Sequence, residues 1–203
     1  MFHPCATASL LLALMAEAPQ TDWELAASKD GVRVFTTNRQ GSAFKAFKAV
    51  TRIEASPAQV LDVLLDVERY VEWFAYTKTA KVLETTATAR TIYLETEFPW
   101  PFSNEDMVYL MSQTTSDQMV RLTLEGVPSH RPRIKGVQRM KSASGHIEVR
   151  SVGTMTEVTY IMHTELGGGI PIWLANKNIH ELPLRTLGSL KTRLERSHPG
   201  ASR

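Results

Sequence analysis

A chain of 203 residues with 43% hydrophobic content is long enough for one globular domain with a real core. Its 23 basic and 21 acidic residues leave a net charge of +2, and no basic run marks a nucleic-acid surface. The single cysteine excludes an intramolecular disulfide framework. There is no internal repeat and no low-complexity segment.

Residues 1–18 stand apart. Residues 8–16 read A-S-L-L-L-A-L-M-A, the length of a signal-peptide hydrophobic region and too short to span a bilayer. Ala16-Glu17-Ala18 supplies a small-x-small cleavage pattern, although the preceding segment carries only His3 as a basic group and Pro19 would follow the cut. Cys5 lies before the hydrophobic region, so it is not a lipid-attachment site. The expectation is a signal peptide or N-terminal extension over 1–18 and a periplasmic or secreted mature chain, otherwise a cytoplasmic one.

Two β-rich segments, 23–28 and 32–37, flank Lys29-Asp30-Gly31, which predicts a hairpin. A third strand is predicted over 44–53. Ser56 and Pro57 then suit the cap and first position of a helix whose apolar face is Val60, Leu61, Leu64 and Leu65. Further strands are predicted at 79–84, 90–98, 106–113, 119–125, 137–140, 146–152 and 157–165, and their short connections imply antiparallel pairing. After Gly167-Gly168-Gly169, a flexible joint, Pro171 sits where a first helical turn begins. Ile172, Asn176, Ile179, Pro183, Thr186, Leu187, Leu190 and Leu194 recur at helical spacing. One helix over 171–196 would run about 39 Å, with a kink allowed near Pro183. The fold class is α+β, a curved antiparallel sheet wrapped around a long C-terminal helix.

Alternation assigns faces. Ile92, Leu94, Thr96 and Phe98 oppose Tyr93, Glu95 and Glu97. Met107, Tyr109 and Met111 share a face, as do Leu122 with Leu124 and Tyr160 with Met162. The methionines suit an adaptable apolar surface, although alternation alone is satisfied by a filled core. The segment Phe98-Pro99-Trp100-Pro101-Phe102-Ser103 is different. Two prolines take it out of the ladder, and it carries two large aromatics. It reads either as a rigid crossover or as a lid over an apolar cavity.

The run P-W-P-F-S-N-E-D-M-V, followed by G-G-G-I-P-I-W-L-A-N and E-L-P-L-R-T-L, resembles the StAR-related lipid-transfer (START) domain. The likeness is to bacterial-type members of this branch of the Bet v1-like superfamily, and it covers residues 22–198. The Trp73 region and the V-T-Y-I-M-H strand share it. The resemblance implies a helix-grip fold enclosing a tunnel for one lipid. It places Trp100, Phe102, Trp173, Asn176 and Ile179 at the mouth or wall. With the face assignments, it implies an apolar lining of Leu94, Phe98, Met107, Tyr109, Met111, Leu122 and Leu124, continued by Met140, Tyr160 and Met162. Gly167, Gly168 and Gly169 with Pro99 and Pro101 form the implied gate. Three departures stand out. Glu105 replaces an arginine of many relatives, Gly-Gly-Gly replaces Pro-Gly-Gly, and Ile92 and Met111 stand where some sterol-binding relatives place a charged pair.

No catalytic constellation is evident. His3, His130, His146, His163, His180 and His198 lack metal-ligand spacing, no H-E-x-x-H or C-x-x-C occurs, and Ser103 has no G-x-S-x-G context. No catalytic residue, metal or cofactor is expected. The leading reading is non-enzymatic binding, with transfer, of a lipid or other hydrophobic small molecule by a monomer that touches membranes transiently and binds no nucleic acid. The alternative is a cyclase or aromatase of the same superfold, which needs an acid, base or histidine facing the cavity. A third reading, an adaptor using the aromatic loop, predicts no cavity.

Overall fold

The structure is a computed structural model and describes residues 22–196. The expected signal peptide lies outside the described residues. The chain runs β1 (Glu24–Lys29), β2 (Val32–Thr37), β3 (Ala46–Ile53), α1 (Pro57–Leu65), a 3-10 turn (Val67–Arg69), α2 (Tyr70–Trp73), β4 (Thr77–Thr85) and β5 (Ala89–Thr96). It continues through β6 (Glu105–Ser116), β7 (Met119–Gly126), β8 (Gln138–Arg139), β9 (Ser142–Val152), β10 (Met155–Glu165), α3 (Ile172–Asn178) and α4 (Glu181–Arg196). All ten strands join one sheet in the order β1-β2-β3-β10-β9-β7-β6-β5-β4, with β8 beside β6. Pairing is antiparallel except between β8 and β6. The architecture is α+β, a curved antiparallel sheet with the C-terminal helix against it.

Local chemistry explains the boundaries. Asp30 and Gly31 both have positive φ, 51° and 79°, as a two-residue turn between Lys29 and its partner Val32 demands. At the start of α1, the Gln59 N–H donates to Ser56 Oγ and the Ser56 N–H donates to Gln59 Oε1, so two helix-end donors are satisfied reciprocally. Strand β5 stops at Thr96 rather than 98, because Pro99 and Pro101 cannot donate to the ladder.

The C-terminal region corrects the sequence reading. It is not one helix over 171–196 but two, with residues 179–180 forming a turn between them. Pro183 has no N–H to offer the Ile179 carbonyl, and its ring crowds that oxygen, so the break falls one turn upstream of the proline. The two halves are held differently. Helix α4 buries Pro183, Thr186, Leu187, Leu190 and Leu194 and lies against β3 and β2. Helix α3 buries no side chain, and Ile172, on the expected apolar stripe, is exposed.

The outer face of the sheet also departs from simple alternation. Tyr93 and Glu95, assigned opposite the apolar set, are both buried. A segment after β7 lies over Tyr93, with the Arg131 guanidinium 4.9 Å from its ring centre, while Glu95 is met by Thr79, Asn104 and Lys78. Beneath it Arg139 and Asp106, both buried, form a two-point ion pair, Nε–Oδ1 2.6 Å and Nη2–Oδ2 3.1 Å. Arg139 also donates to the Pro128 and Arg131 carbonyls. The buried charge is thus fully partnered.

Candidate functional site

Between the sheet and the C-terminal helices lies a cavity of about 460 Å³. One wall is the start of β3 with Phe44, Lys45 and Phe47; another is the end of β5 and its loop with Thr96, Phe98, Pro99 and Phe102. Met162, Leu166 and Ile170 close a third side, and Leu174, Ile179 and Leu182 form the helical roof. A second space of about 80 Å³ lies deeper. Phe47, Met140 and Met162 border both spaces.

The positions named from the sequence divide between these spaces. Phe98, Phe102, Asn176 and Ile179 line the larger one, with Met140 and Met162 at the partition. Leu94, Met107, Tyr109, Met111, Leu122, Leu124 and Tyr160 line the deeper one, together with Ile92. Trp100 and Trp173 line neither: they are 92% and 67% exposed, on the two segments that bound the larger space. Sequence reasoning missed Phe44, Leu166, Ile170, Leu174 and Leu182. Leu174 and Leu182 stand eight residues apart with Asn178 between them, a second stripe at i, i+4, i+8 that the single-stripe reading left out.

The deeper space has no charged lining. Its phenols stay neutral, since burial raises Tyr70, Tyr109 and Tyr160 well above the usual tyrosine range. The Tyr70 hydroxyl donates to the Leu64 carbonyl, and Phe47 and Tyr160 meet edge to face at 4.9 Å. Charged groups border only the larger space: Lys45, Glu97, Glu181 and Arg185. Arg185 pairs with Glu181 at 3.1 Å and lies over the Tyr76 ring.

Asn176 does more than form wall. Its Oδ1 accepts the Lys45 N–H at 2.9 Å and its Nδ2 donates to the Ala43 carbonyl at 2.9 Å, tying α3 to the segment before β3. The loop opposite is tied at its neck, where Asn104 Nδ2 donates to Glu95 Oε1 and Asn104 Oδ1 accepts the Phe98 N–H. Pro101 follows a cis peptide bond, and the Phe102 N–H returns to the Pro99 carbonyl.

The three glycines are not equivalent. The Gly167 N–H donates to Glu105 Oε2 at 2.8 Å, and a Cβ there would sit 2.3 Å from the Arg139 carbonyl oxygen. Gly168 and Gly169 have φ of 132° and 98°, with nothing near a would-be Cβ. Glu105 holds the joint through the Gly167 and Gly168 N–H groups, and close backbone contact confines Gly167, whereas Gly168 and Gly169 have open space around them. Glu105 is wholly buried, and burial raises its carboxyl above the ordinary value, against the pull of the Gly167 and Gly168 N–H groups. His163, near the same mouth, is buried with Nε2 3.1 Å from Ser42 Oγ, and burial lowers its imidazole below the usual value.

A curved sheet gripping a C-terminal helix over an apolar cavity defines a helix-grip protein. The chain belongs to the START domain family, whose model matches residues 5–197. It is 33% identical over 191 residues to an uncharacterized protein of Pseudomonas aeruginosa, covering 93% of this chain and 95% of that one. Mouse phosphatidylcholine transfer protein is 26% identical over 163 residues, covering 76% of this chain and 75% of that protein. Among solved structures, the STAR-related lipid transfer protein of Xanthomonas axonopodis matches with TM-score 0.80 and 33% identity, over 85% of this chain and 98% of that fragment. A Streptomyces aromatase/cyclase matches at TM-score 0.51 and 14% identity, which shows the shared fold alone.

Proposed function

We propose that this protein is a non-enzymatic carrier that holds a lipid or other hydrophobic small molecule in the cavity beneath α3 and α4. The observation that carries the reading is the space itself: about 460 Å³, with mainly apolar walls, continuing toward a deeper uncharged space. That volume falls in the ordinary range for small-molecule sites. Burial of apolar surface, at about 25 cal/mol per Å², holds such a ligand without a polar anchor. The lipid-transfer relatives support the same reading. The aromatase/cyclase alternative finds no carboxylate, histidine or lysine in the deeper space; Lys45, Glu97, Glu181 and Arg185 border only the larger one.

The ligand enters where the backbone is least regular. Helix α3 is the lid: it buries no side chain, it swings at Gly168-Gly169, and it meets α4 through the turn at 179–180. The Pro99–Pro101 loop is the opposing rim. Trp100 on the rim and Trp173 on the lid enter the interfacial layer of a membrane when the carrier docks, as amphipathic aromatics do. The carrier acts as a monomer, and the N-terminal segment exports it to the periplasm or beyond.

Transfer of fluorescent one-chain and two-chain lipids between donor and acceptor vesicles tests the reading. Acceleration that grows with protein concentration supports it. No acceleration, with no lipid bound to folded protein, overturns it.

A further inference from the structure

Two of the phenols around the deeper space lack a hydrogen-bond acceptor. The Tyr70 hydroxyl donates to the Leu64 carbonyl, but neither Tyr109 nor Tyr160 makes a hydrogen bond through its hydroxyl among the described residues. Both side chains line the deeper space and are buried, with 7% and 4% exposure. Neither hydroxyl is sealed inside the protein, as the unpartnered Tyr93 hydroxyl is. A buried O–H without an acceptor is costly, and folded proteins seldom keep one.

The sheet brings the pair to one place. Tyr109 stands on β6 and Tyr160 on β10, with β7 and β9 between them, and Leu122, Leu124 and Ile147 of the two middle strands form an apolar floor. The Tyr160 ring is held edge-on by Phe47 at 4.9 Å and Phe74 at 6.1 Å, which fixes where its oxygen stands. Burial raises the Tyr160 phenol, and the neighbouring Tyr109 and Tyr70 phenols raise it further, so the group stays neutral. A carbonyl oxygen has two lone pairs, one for each free O–H. A carboxylate there would lose its water and meet no cation, because no charged side chain borders the deeper space.

Resting on the carrier reading, we propose that Tyr109 and Tyr160 form an oxygen-recognition site at the inner end of the cavity, and that the carried molecule bears an uncharged acceptor there, a carbonyl or a hydroxyl. Apolar burial sets how tightly the molecule is held. The two phenols set which end enters first, and they select against a plain hydrocarbon end, which leaves both donors unpaired.

The test uses delipidated full-length protein and calorimetry. The probes are saturated fatty acids from decanoate to palmitate, each beside its ω-hydroxy counterpart. In an apolar site without partners the added hydroxyl weakens binding about tenfold. Here the hydroxy acid of best-fitting length should bind at least as tightly as its plain partner. Tyr109→Phe with Tyr160→Phe should lower the hydroxy-to-plain affinity ratio about tenfold, while affinity for the plain acid holds or rises. The melting temperature of the empty double variant should not fall, because no hydrogen bond is lost. A lower melt shows hydroxyls already partnered by water, and a wild-type preference for the plain acid at every length shows a site for water only. Either result, or an unchanged ratio in the folded double variant, overturns the oxygen site and leaves the carrier reading intact. Should the variant not fold, the wild-type comparison decides alone. Binding of no probe by folded wild-type protein overturns both.

Discussion

At the scale of single residues, Gly167 and Glu105 join the mouth to the sheet. A methyl group at Gly167 meets the Arg139 carbonyl at 2.3 Å, and that carbonyl belongs to a residue locked by the Asp106 ion pair, so the clash cannot relax cheaply. Gly167→Ala should cost about 1–3 kcal/mol, the usual range for overpacking. The melting temperature should then fall by about 3 °C per kcal/mol, and an unshifted melt contradicts the pinned joint. Glu105 is an acid whose folded pKa is raised, so its contribution to stability is full below the ordinary value of 4.5 and is lost as pH rises through the raised value. Glu105→Gln keeps an acceptor for the Gly167 N–H and cannot ionise. Relative to wild type, its melting temperature should climb between pH 4.5 and pH 8; a constant difference contradicts the buried-acid account. Neither residue's part was legible in the sequence. Glu105 stood out only as a departure from its relatives, because its partners Gly167 and Gln138 lie 62 and 33 residues away along the chain and leave no local pattern.

At the scale of elements, the strands were the legible part, since apolar residues alternate in the segments that form β5, β6, β7 and β10, and the prolines after Phe98 mark where β5 must end. The same alternation put the deeper residues on one face, and only the family resemblance turned that face from a filled core into a lining. The helical roof was half legible. Residues 171–196 carry one stripe for the sheet and a second face for the cavity, and reading only the first found Ile179 but missed Leu174 and Leu182. The break at 179–180 divides α4, held against the sheet, from α3, the proposed lid, which two hydrogen bonds of Asn176 fasten down. Asn176→Ala should cost about 1–2 kcal/mol through the lost bonds. It should also speed amide exchange in α3 and lipid exchange between vesicles, while amides of α4 keep their protection. Unchanged exchange of both kinds contradicts α3 as the lid.

At the scale of the whole molecule, the proposed carrier uses the exposed tryptophans and the space beneath the helices in one cycle of docking, opening and loading. Trp100 and Trp173 are exposed and Trp73 is buried, so the fold should survive loss of the first two. A double change to Ser should leave the melt within about 2 °C, as surface substitutions usually do. Co-sedimentation with lipid vesicles should fall several-fold, and undiminished association contradicts the docking face. The central claim is that the space beneath the helices is kept for a lipid and is not a packing defect. Native mass spectrometry of protein purified from cells without detergent tests it most directly. The account predicts a lipid adduct of one molecule per chain, released on denaturation and diminished by Leu174→Trp, which fills the roof of the larger space. A bare polypeptide mass, unchanged when the folded protein is offered palmitate, would contradict it.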